Sequence, residues 1–345
     1  MQVERDVVGG GPVGGPGGRV AVVVPCLDEE AAVGAVVDGL RAALPHAVVY
    51  VYDNGSTDRT AEVAARHGAV VRFEPRPGKG NVIRRAFADV DADTYVLIDG
   101  DDTYDASAAG DLVRLLVAEG LDHVVGTRRP DTLTAYRRGH AAGNRALNSV
   151  VSRVFGTPVT DMLSGYRVMS RRFVKSFPAI SRGFEVETEL TVHAVNLRVP
   201  QREVPVGFRD RPEGSASKLR TYRDGFAILR WILRLAHLER PLLVHALLGA
   251  LVAVLSLALG LPVVVEFLRT GLVPKFPTAI LASALMMIAV LVAAVGVVLD
   301  AVHRASDEAS RLVYLQYPAP HELDLRSGPG AGADRDADRA PGRRR

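Results

Sequence analysis

Residues 19–53 read RVAVVVPCLDEEAAVGAVVDGLRAALPHAVVYVYD, and this stretch predicts the fold. Its two ends, RVAVVVP (19–25) and AVVYVYD (47–53), are continuous apolar runs of strand length. The middle, EEAAVGAVVDGLRAALP (29–45), has apolar residues at helical spacing and stops at a proline, which cannot continue a helix. A strand, a helix and a second strand in this order predict a βαβ unit with parallel strands.

The alternation of strand and helix continues through about the first 210 residues. STDRTAEVAARHG (56–68) has a polar helix start and a glycine at its end, and AVVRFEP (69–75) and TYVLID (94–99) are further strand candidates. Polar motifs follow the strands: PCLDEE, DNGSTD, RPGKG and DGDD. We therefore predict an α/β fold with a mainly parallel sheet covered by helices on both faces, and with ligands at the carboxyl ends of the strands.

Composition narrows the class of protein. The 345 residues are 48% hydrophobic and carry a formal charge of +3, with acids and bases interspersed. No block of like charge indicates a nucleic-acid partner, so none is expected. We interpret the excess of positive charge as a bias towards a membrane surface. The chain has one cysteine, Cys26, so it has no internal disulfide, and a small packed thiol in a reducing compartment is expected.

Two segments near the C-terminus are long and free of formal charge, at residues 242–265 and 278–299. A bilayer core is crossed by about 20 apolar residues, so the pair predicts a transmembrane hairpin. The alternative is a buried helical pair in a globular domain. Cationic residues flank the pair, which predicts an inner membrane of bacterial type with both termini and the N-terminal domain in the cytoplasm: Lys218, Arg220, Arg223, Arg230, Arg234, Arg240, His303, Arg304 and Arg311.

The remaining segments complete the predicted organisation. Residues 1–18 and 318–345 are rich in Gly, Pro or charge and are expected to be disordered, the latter as a cytoplasmic tail. A globular domain is expected over 19–222. Residues 223–241 combine apolar and arginine positions at helical spacing, which predicts an amphipathic juxtamembrane helix, either in the headgroup layer or packed on the globular domain.

Four acids follow an apolar strand in YVLIDGDDTYD (95–105). Like charges this close repel, and burying them unpaired is costly, so a cation is expected among them. Asp99 and Asp101 form a D-x-D pair suited to Mg²⁺ or Mn²⁺, which in turn binds a substrate diphosphate. Gly100 would let the backbone approach that ligand, and Asp102 would orient the two carboxylates without contacting the metal itself.

Six motifs in order carry a resemblance to a known family: VVVPCLDEE, YDNGSTDRT, RPGKGNVIRRAF, LIDGDD, DMLSGYR and EVPVGFRDRPEGSASKL. Over about residues 19–235 the chain resembles the inverting family 2 glycosyltransferases of GT-A fold. More narrowly it resembles their polyprenyl-phosphate, dolichol-phosphate mannosyltransferase-like branch, in which a C-terminal membrane hairpin also occurs. Asp28 departs from the asparagine that is common there, which weakens the base or ribose contact expected at this position.

The resemblance implies a set of donor-binding residues. The base and ribose would be surrounded by Pro25, Asp28, Glu29, Asp53 and Asn54. Phosphate would be bound by Lys79, with Asp99 and Gly100 also at the donor. The loop that closes over the diphosphate would contain Arg211, Ser217 and Lys218. A turn or helix-cap role is the alternative for Asp53 and Asp58.

The resemblance also implies an acceptor site in the second half of the domain. Arginine forks suit the oxygens of a lipid phosphate. The expected phosphate-binding residues are Arg128, Arg137, Arg138, Asn144 and Ser164, with Arg137 and Arg138 left open as to which faces inward. The implied catalytic set is Asp99, Asp101, Arg128, Arg138 and Asp161.

The function implied is a hexosyltransferase that moves a sugar from a GDP- or UDP-hexose to a polyprenyl phosphate. A phosphate monoester has a second pKa of about 6 and attacks without a base. A hydroxyl acceptor, on a glycolipid or polysaccharide, would need one, and Asp161 or a glutamate of FEVETEL (184–190) would be the candidate. A non-catalytic membrane scaffold is the other alternative. The sequence leaves the sugar, the nucleotide and the oligomeric state open.

Overall fold

The computed structural model describes residues 18–130, 160–183, 185–209 and 241–320. Several predicted features lie outside these ranges: the segment 1–17, Arg137, Arg138, Asn144, the Arg211, Ser217 and Lys218 loop, the helix 223–240 and the tail from 321. The chain divides into two compact units, Met1–Leu219 with Ser310–Arg345, and Arg220–Ala309.

The catalytic candidates all lie in the first unit, which alternates strands and helices. Its strands are β1 Val20–Cys26, β2 Val48–Asp53, β3 Val70–Phe73, β4 Thr94–Leu97, β5 His123–Pro130, β6 Arg167–Ser170 and β7 Gln201–Phe208. Its helices are α1 Val33–Ala43, α2 Thr60–Arg66, α3 Lys79–Asp89, α4 Ala109–Ala118, α5 Arg171–Ser176 and α6 Val186–Leu197, with a 3-10 turn at Ala106–Ala108.

The seven strands form one sheet in the order β3-β2-β1-β4-β6-β5-β7. β1 pairs in parallel with β2 and β4, β2 with β3, and β5 with β7, while β6 runs antiparallel between β4 and β5. The prediction of a mainly parallel sheet is confirmed. Because β6 is reversed, its first residue, Arg167, lies opposite Leu97 of β4, so the SGYR motif reaches the edge where the parallel strands end.

Both faces of the sheet are covered by helices. Alternate residues of β1 enter two different apolar clusters, Val20, Val22, Val24 and Cys26 on one side and Ala21 and Val23 on the other. Helices α1 and α4 cover the first face, and α3, α5 and α6 cover the second. Burial on both faces explains why β1 is a continuous apolar run.

One helix begins later than the sequence predicts. The prediction starts the first helix at Glu29, whereas α1 begins at Val33. Asp28 has a φ of 52°, in the left-handed region, and the backbone N–H groups of Ala32 and Val33 both bond the carbonyl of Glu29, at 3.0 and 2.9 Å. The polar residues after β1 therefore form a turn at the edge of the sheet rather than the first turn of the helix.

The second unit contains most of two long apolar helices, α7 Pro241–Thr270 and α8 Phe276–Tyr314. Small residues seven apart are buried on each, including Gly249 and Ser256 on α7 and Ala282 and Ala289 on α8. The Ser256 hydroxyl donates to the carbonyl of Ala282 at 2.7 Å. Close packing of small residues is typical of helix pairs in membranes.

Length and exposure of the two helices fit a membrane span. Only 17% of the most apolar window of each helix is buried, and large side chains such as Leu251, Leu255 and Val298 are 67%, 51% and 61% exposed. A core helix of a globular domain would be buried around its circumference. The exposure favours the membrane interpretation over the soluble alternative.

Candidate active site

Three charged side chains from different elements meet at the carboxyl edge of the sheet. Lys79 is the first residue of α3, Asp99 follows β4, and Glu187 lies in the first turn of α6. The ammonium of Lys79 donates to Oδ1 of Asp99 and lies 2.5 Å from Oε1 of Glu187. The side chains of Lys79 and Glu187 are only 9% and 5% exposed, whereas Asp99 is 28% exposed. Asp99 is therefore the member that an incoming ligand can reach.

Glycines allow the lysine loop to dock against the segment before α6. The N–H of Gly80 donates to the carbonyl of Gly183 at 3.1 Å, and the N–H of Asn81 to that of Arg182 at 3.3 Å. A Cβ on Gly80 would lie 2.8 Å from the carbonyl carbon of Ser181, closer than real Cβ contacts. The RPGKG motif thus needs its second glycine for packing, and this packing brings Lys79 to Glu187.

Opposing effects act on the two buried members of the cluster, Lys79 and Glu187. Burial acts to lower the pKa of Lys79, but attraction to Asp99 and Glu187 outweighs it and the pKa is raised, so the ammonium stays protonated. Burial raises the pKa of Glu187, with Asp99 adding to the rise and Lys79 opposing it. Within the described residues, Oε2 of Glu187 is buried without a hydrogen-bond partner. One ammonium against two carboxylates gives the cluster a formal charge of −1.

The second acid of the D-x-D pair is held by its own loop. Asp101 is 5% exposed, and its Oδ1 accepts from the N–H of Thr103 at 3.2 Å and from the Thr103 hydroxyl at 2.6 Å. Asp102 has a φ of 55°, and its carboxylate lies 3.6 Å from the Arg209 guanidinium. Burial raises the pKa of Asp102 despite that arginine. Thr103 orients Asp101 at this edge of the sheet.

Gly100 has a packing reason that the sequence did not reveal. A Cβ on Gly100 would collide with Sγ of Cys26 and lie 3.4 Å from Cγ1 of Val24. The close approach that glycine permits is therefore to β1, and a backbone contact to the donor remains a prediction. Cys26 is 3% exposed, and burial raises the pKa of its thiol, as expected of a packed rather than a reactive cysteine.

The residues fit a divalent cation that the donor completes. The described part of the chain contains no group of three or more His, Cys, Asp or Glu side chains able to hold a metal. Magnesium, however, is usually bound by one or two carboxylates plus substrate phosphates and water. Asp99 and Asp101 supply two carboxylates at the end of a strand, which suits such a site but not a closed protein cage.

The loops after β1 and β2 are tied to each other by the predicted donor residues. Oδ1 of Asp28 accepts from the N–H of Thr57 at 2.7 Å, and the Ser56 hydroxyl accepts from the N–H of Asp28 at 3.0 Å. Asp53 accepts from the N–H of Ser56 at 3.2 Å, so the turn role foreseen as its alternative is present. Asp28 and Glu29 line a cleft of about 390 Å³. Pro25 pairs with Tyr52 inside the sheet.

Asn54 holds the lysine loop in place. Its amide nitrogen donates to the carbonyls of Glu74 and Arg76 at 2.8 and 2.7 Å, and its amide oxygen accepts from the N–H of Gly78 at 2.7 Å. These bonds span the segment that leads to Lys79. Base contact by Asn54 stays a prediction, while its positioning of the RPGKG loop is evident.

Arg128 and Asp161, both predicted for the acceptor side, bind each other. Nε and Nη2 of Arg128 donate to Oδ2 and Oδ1 of Asp161 at 2.8 and 2.6 Å, and the backbone N–H of Arg128 donates to Oδ2 at 3.1 Å. Asp161 is 7% exposed and the Arg128 side chain 20% exposed. Since both carboxylate oxygens accept from an arginine, Asp161 is arranged to orient Arg128 rather than to take a proton.

Ser164 and Arg167 lie inside the fold. The Ser164 hydroxyl donates to the carbonyl of Gly126 at 2.5 Å and is fully buried, so direct contact with an acceptor remains only a prediction. Arg167 is also fully buried, donates to the carbonyls of Met162 and Ser164 at 2.8 and 3.0 Å, and has a pKa lowered to about 10 by burial. This arginine shapes the DMLSGYR loop and does not face a ligand.

Two contributions escaped the sequence reasoning. Tyr104 is 3% exposed, and its hydroxyl accepts from the N–H of Gly165 at 3.0 Å, which fixes the SGYR loop beside the acids. A Cβ on Gly165 would lie 2.7 Å from Cγ of Asp99, so this glycine makes room for the carboxylate. The sequence signal available for Tyr104 was an aromatic residue directly after D-G-D-D-T. No sequence signal indicated that Glu187 pairs with Lys79, because the two residues are far apart in the chain.

Comparison with known proteins supplies the family. Residues 21–177 match the model for "Glycosyl transferase family 2". The glycosyltransferase AglJ of Haloferax volcanii is 34% identical over 253 residues, which cover 72% of this chain and 82% of that protein. This chain belongs to glycosyltransferase family 2. The dolichyl-phosphate hexose transferase of the same organism is 29% identical over 222 residues, covering 64% of this glycosyltransferase and 95% of its relative.

Solved structures support the GT-A fold of this family 2 glycosyltransferase. Glucosyl-3-phosphoglycerate synthase of Mycobacterium tuberculosis, in complex with phosphoglyceric acid, matches with a TM-score of 0.53 and 27% identity over 64% of this chain and 79% of that one. Two further complexes of that synthase are 26% identical and cover the same shares: one with Mn²⁺, UDP-glucose and phosphoglyceric acid at a TM-score of 0.51, and one with Mg²⁺ and UDP at 0.52. The fold prediction is confirmed, and the glycosyltransferase is hexosyltransferase-like rather than a non-catalytic scaffold.

Proposed function

We propose that this glycosyltransferase moves a hexose from a GDP- or UDP-sugar to a polyprenyl phosphate at the cytoplasmic face of a bacterial-type cell membrane. The observation that carries the proposal is the pair of Arg128 and Asp161. A guanidinium oriented by a carboxylate, and still 20% exposed, suits a phosphate ligand. The same pair leaves Asp161 badly placed to deprotonate a hydroxyl.

Two of the glutamates in FEVETEL are engaged as well. Both carboxylate oxygens of Glu189 accept backbone N–H groups, from Ile180 at 2.7 Å and from Ser181 at 2.8 Å. Glu187 is paired with Lys79. A nucleophile that arrives already deprotonated removes the need for a base, and a lipid phosphate with a second pKa of about 6 is such a nucleophile.

The donor is proposed to bind at the strand ends beside Asp99 and Asp101. The synthase complexes with Mn²⁺ and UDP-glucose and with Mg²⁺ and UDP support a nucleotide sugar and a divalent ion here. When bound, the ion would neutralise negative charge on the departing nucleoside diphosphate. Lys79 contributes a second positive charge at the same place, and Asn54 holds the loop that presents it.

Transfer then depends on orientation. Arg128, fixed by Asp161, aligns the acceptor phosphate with the anomeric carbon on the side opposite the leaving diphosphate. A single displacement inverts the configuration of that carbon. Arg137, Arg138 and Asn144 are proposed to complete the phosphate site, and Arg211, Ser217 and Lys218 to close over the diphosphate; all six lie outside the described residues.

A lipid acceptor is supported by the second unit and by one relative. Helices α7 and α8 are long and apolar enough to cross a bilayer. The dolichyl-phosphate hexose transferase of H. volcanii, whose name states its acceptor, aligns over 95% of its length. By the positive-inside rule, the flanking arginines support a cytoplasmic position of the catalytic unit.

The test is the chemical nature of the labelled product. Membranes that contain the full chain are given radiolabelled GDP- or UDP-hexose, polyprenyl phosphate and Mn²⁺, and the lipid extract is treated with mild acid. A glycosyl phosphate releases its sugar under these conditions, and that release is the expected result. Label that stays in an acid-stable glycolipid would contradict the phosphate acceptor.

A hydroxyl acceptor is the second candidate. It is favoured by the synthase complexes with phosphoglyceric acid, which is a small phosphorylated molecule. Arg128 would then bind the phosphate of such a molecule. Transfer to a water-soluble phosphorylated acceptor, with none to lipid, would support this candidate over the first.

A further inference from the structure

The donor site contains a contact that the transfer reaction does not require. The ammonium of Lys79 donates to Oδ1 of Asp99, one of the two carboxylates expected to hold the metal. A divalent ion and an ammonium at the same carboxylate repel each other, most strongly where water is scarce. A metal that approaches the other oxygen of Asp99 therefore meets the positive charge of the ammonium on Oδ1, which weakens its binding in this arrangement.

We propose that Lys79 blocks Asp99 until a nucleotide arrives, so that metal and nucleotide bind cooperatively and the metal alone binds weakly. The diphosphate offers the ammonium a new partner, Lys79 leaves Asp99, and the freed carboxylate accepts the ion. Glu187 is the positioning residue that keeps Lys79 beside the pocket in both states. The inference rests on the proposed nucleotide-sugar donor.

Burial and tethering support this exchange. Lys79 is 9% exposed and Glu187 5%, so an ammonium that leaves Asp99 keeps Glu187 but gains little hydration, and a phosphate oxygen would replace the carboxylate it has lost. Its backbone is fixed at the start of α3 by the bonds of Gly80 and Asn81, so only the side chain moves. Asp99, at 28% exposed, is the carboxylate that faces arriving ligands.

The ligand set points the same way. Two carboxylates make an incomplete site for a hard cation, and no larger metal-binding group exists among the described residues. Phosphate oxygens must supply further ligands. The same diphosphate that completes the coordination sphere also removes the competing ammonium.

The experiment measures Mn²⁺ binding by the full chain in lipid nanodiscs, with and without saturating UDP or GDP, with correction for metal bound by free nucleotide. We expect metal affinity to rise at least about tenfold with the nucleotide that the site accepts, within the usual range of coupling. Asp99→Asn should abolish this binding and so locate the ion. Equal affinity with and without nucleotide would overturn the inference.

Two substitutions with opposite expected effects make the test specific. Lys79→Met should tighten binding of the metal alone by about tenfold, since the competing cation is gone. Glu187→Gln should weaken it several-fold, because Lys79 then has Asp99 as its sole carboxylate partner in the cluster. Misfolding, by contrast, would weaken metal binding in both variants. Arg114→Met, which removes one charge from an exposed side chain on α4, is the matched control and should leave metal binding unchanged.

The metal-binding test of the lysine exchange and the product analysis of the acceptor can fail independently of each other. Metal binding to the Lys79 variant involves no acceptor, so a product on a hydroxyl would reject the lipid phosphate while leaving the exchange intact. Metal-only binding that stays unchanged or weakens in Lys79→Met and in Lys79→Gln would reject the exchange, whatever the product of the wild-type enzyme.

Discussion

The acids after β4 are stable because each has a different partner. Asp99 has the Lys79 ammonium, Asp101 has Thr103, and Asp102 lies near Arg209. Asp105 accepts from the N–H and the hydroxyl of Ser107. The repulsion expected from four neighbouring carboxylates is thereby divided among separate contacts. Of the D-x-D pair, Asp99 is the partly exposed carboxylate, and it lies at the edge where ligands of α/β sheets bind.

Asp161→Asn tests whether this residue orients Arg128. Loss of the charged hydrogen bonds is expected to cost about 2 kcal/mol, which is roughly 30-fold in acceptor affinity. The effect should appear mainly in KM for the acceptor, with the pH profile of kcat retained. Steady-state kinetics with a short-chain polyprenyl phosphate give both values. A large fall in kcat with unchanged KM and a lost acidic limb would instead indicate a base.

Sequence reasoning located the donor acids but not their contacts. Asp99, Asp101 and Lys79 follow consecutive apolar strands, so a parallel sheet had to bring their loops to one edge. The pairing of Lys79 with Glu187 depends on packing between α3 and the segment before α6, which no local pattern encodes. Burial of Arg167 is likewise not visible in the sequence, because carbonyls of the preceding loop, rather than a local pattern of side chains, satisfy its donors.

At the scale of elements, the first four strands were predictable and the reversal of β6 was not. β1, β2 and β4 are mainly apolar runs, β3 is interrupted by Arg72, and the bounds of all four fall within two residues of prediction. β6, Arg167–Ser170, is only four residues long, and its place between β4 and β5 is set by long-range pairing. That reversal is what carries Gly165 to Asp99.

Buried histidines predict loss of stability in acid. Burial lowers the pKa of His193 to about 4, and burial with Arg167 lowers that of His123 well below its usual value. The unfolded chain therefore binds protons from about pH 6.5 downwards while the folded chain does not, and stability falls as the pH drops towards 4. For His193 alone the full loss is roughly 3 kcal/mol.

Thermal unfolding in detergent between pH 7 and pH 4.5 measures this effect. His193→Gln is expected to flatten the decline in melting temperature with acid, at the cost of a lower value at pH 7. His46→Gln, at an exposed position, is the control for loss of a surface imidazole. An unchanged acid slope in the His193 variant would show that its burial is unimportant for stability.

The contact between α7 and α8 predicts intolerance of bulk. A Cβ on Gly296 would lie 2.6 Å from Cβ of His245, so Gly296→Leu must push the helices apart, at about 2 kcal/mol. Val297, next to it, is 55% exposed, and Val297→Leu is the matched control. SDS titration of the bicelle-embedded chain compares the two. Equal midpoints would mean that the helices do not pack through this residue.

At the scale of the whole molecule, the chain contains a family 2 glycosyltransferase unit and an apolar helix pair. The family shows glycosyl transfer, and the two helices are long and apolar enough to cross a membrane. If the pair spans the bilayer, the short connection of residues 271–275 faces outward while the catalytic unit faces the cytoplasm. This orientation follows from flanking charge and stays a proposal until it is measured.

Cysteine labelling measures the orientation directly. The native Cys26 is buried with a raised pKa, so it gives little background. In intact cells an impermeant maleimide should label Val273→Cys, in the connection between the helices, but not Ala42→Cys, on the exposed face of α1. Ala42→Cys should react only after permeabilisation. The reverse pattern, or labelling of neither before permeabilisation, would contradict the predicted topology.

The central claim is that a lipid phosphate, ready to attack without a base, receives the sugar. It is tested most directly by NMR of the product that the full chain makes in nanodiscs from a nucleotide sugar and a short-chain polyprenyl phosphate. The predicted result is a sugar joined through its anomeric carbon to phosphate, with a configuration opposite to that of the donor. A sugar joined to an alcohol oxygen of the acceptor, or a sugar whose anomeric configuration is retained, would contradict the account.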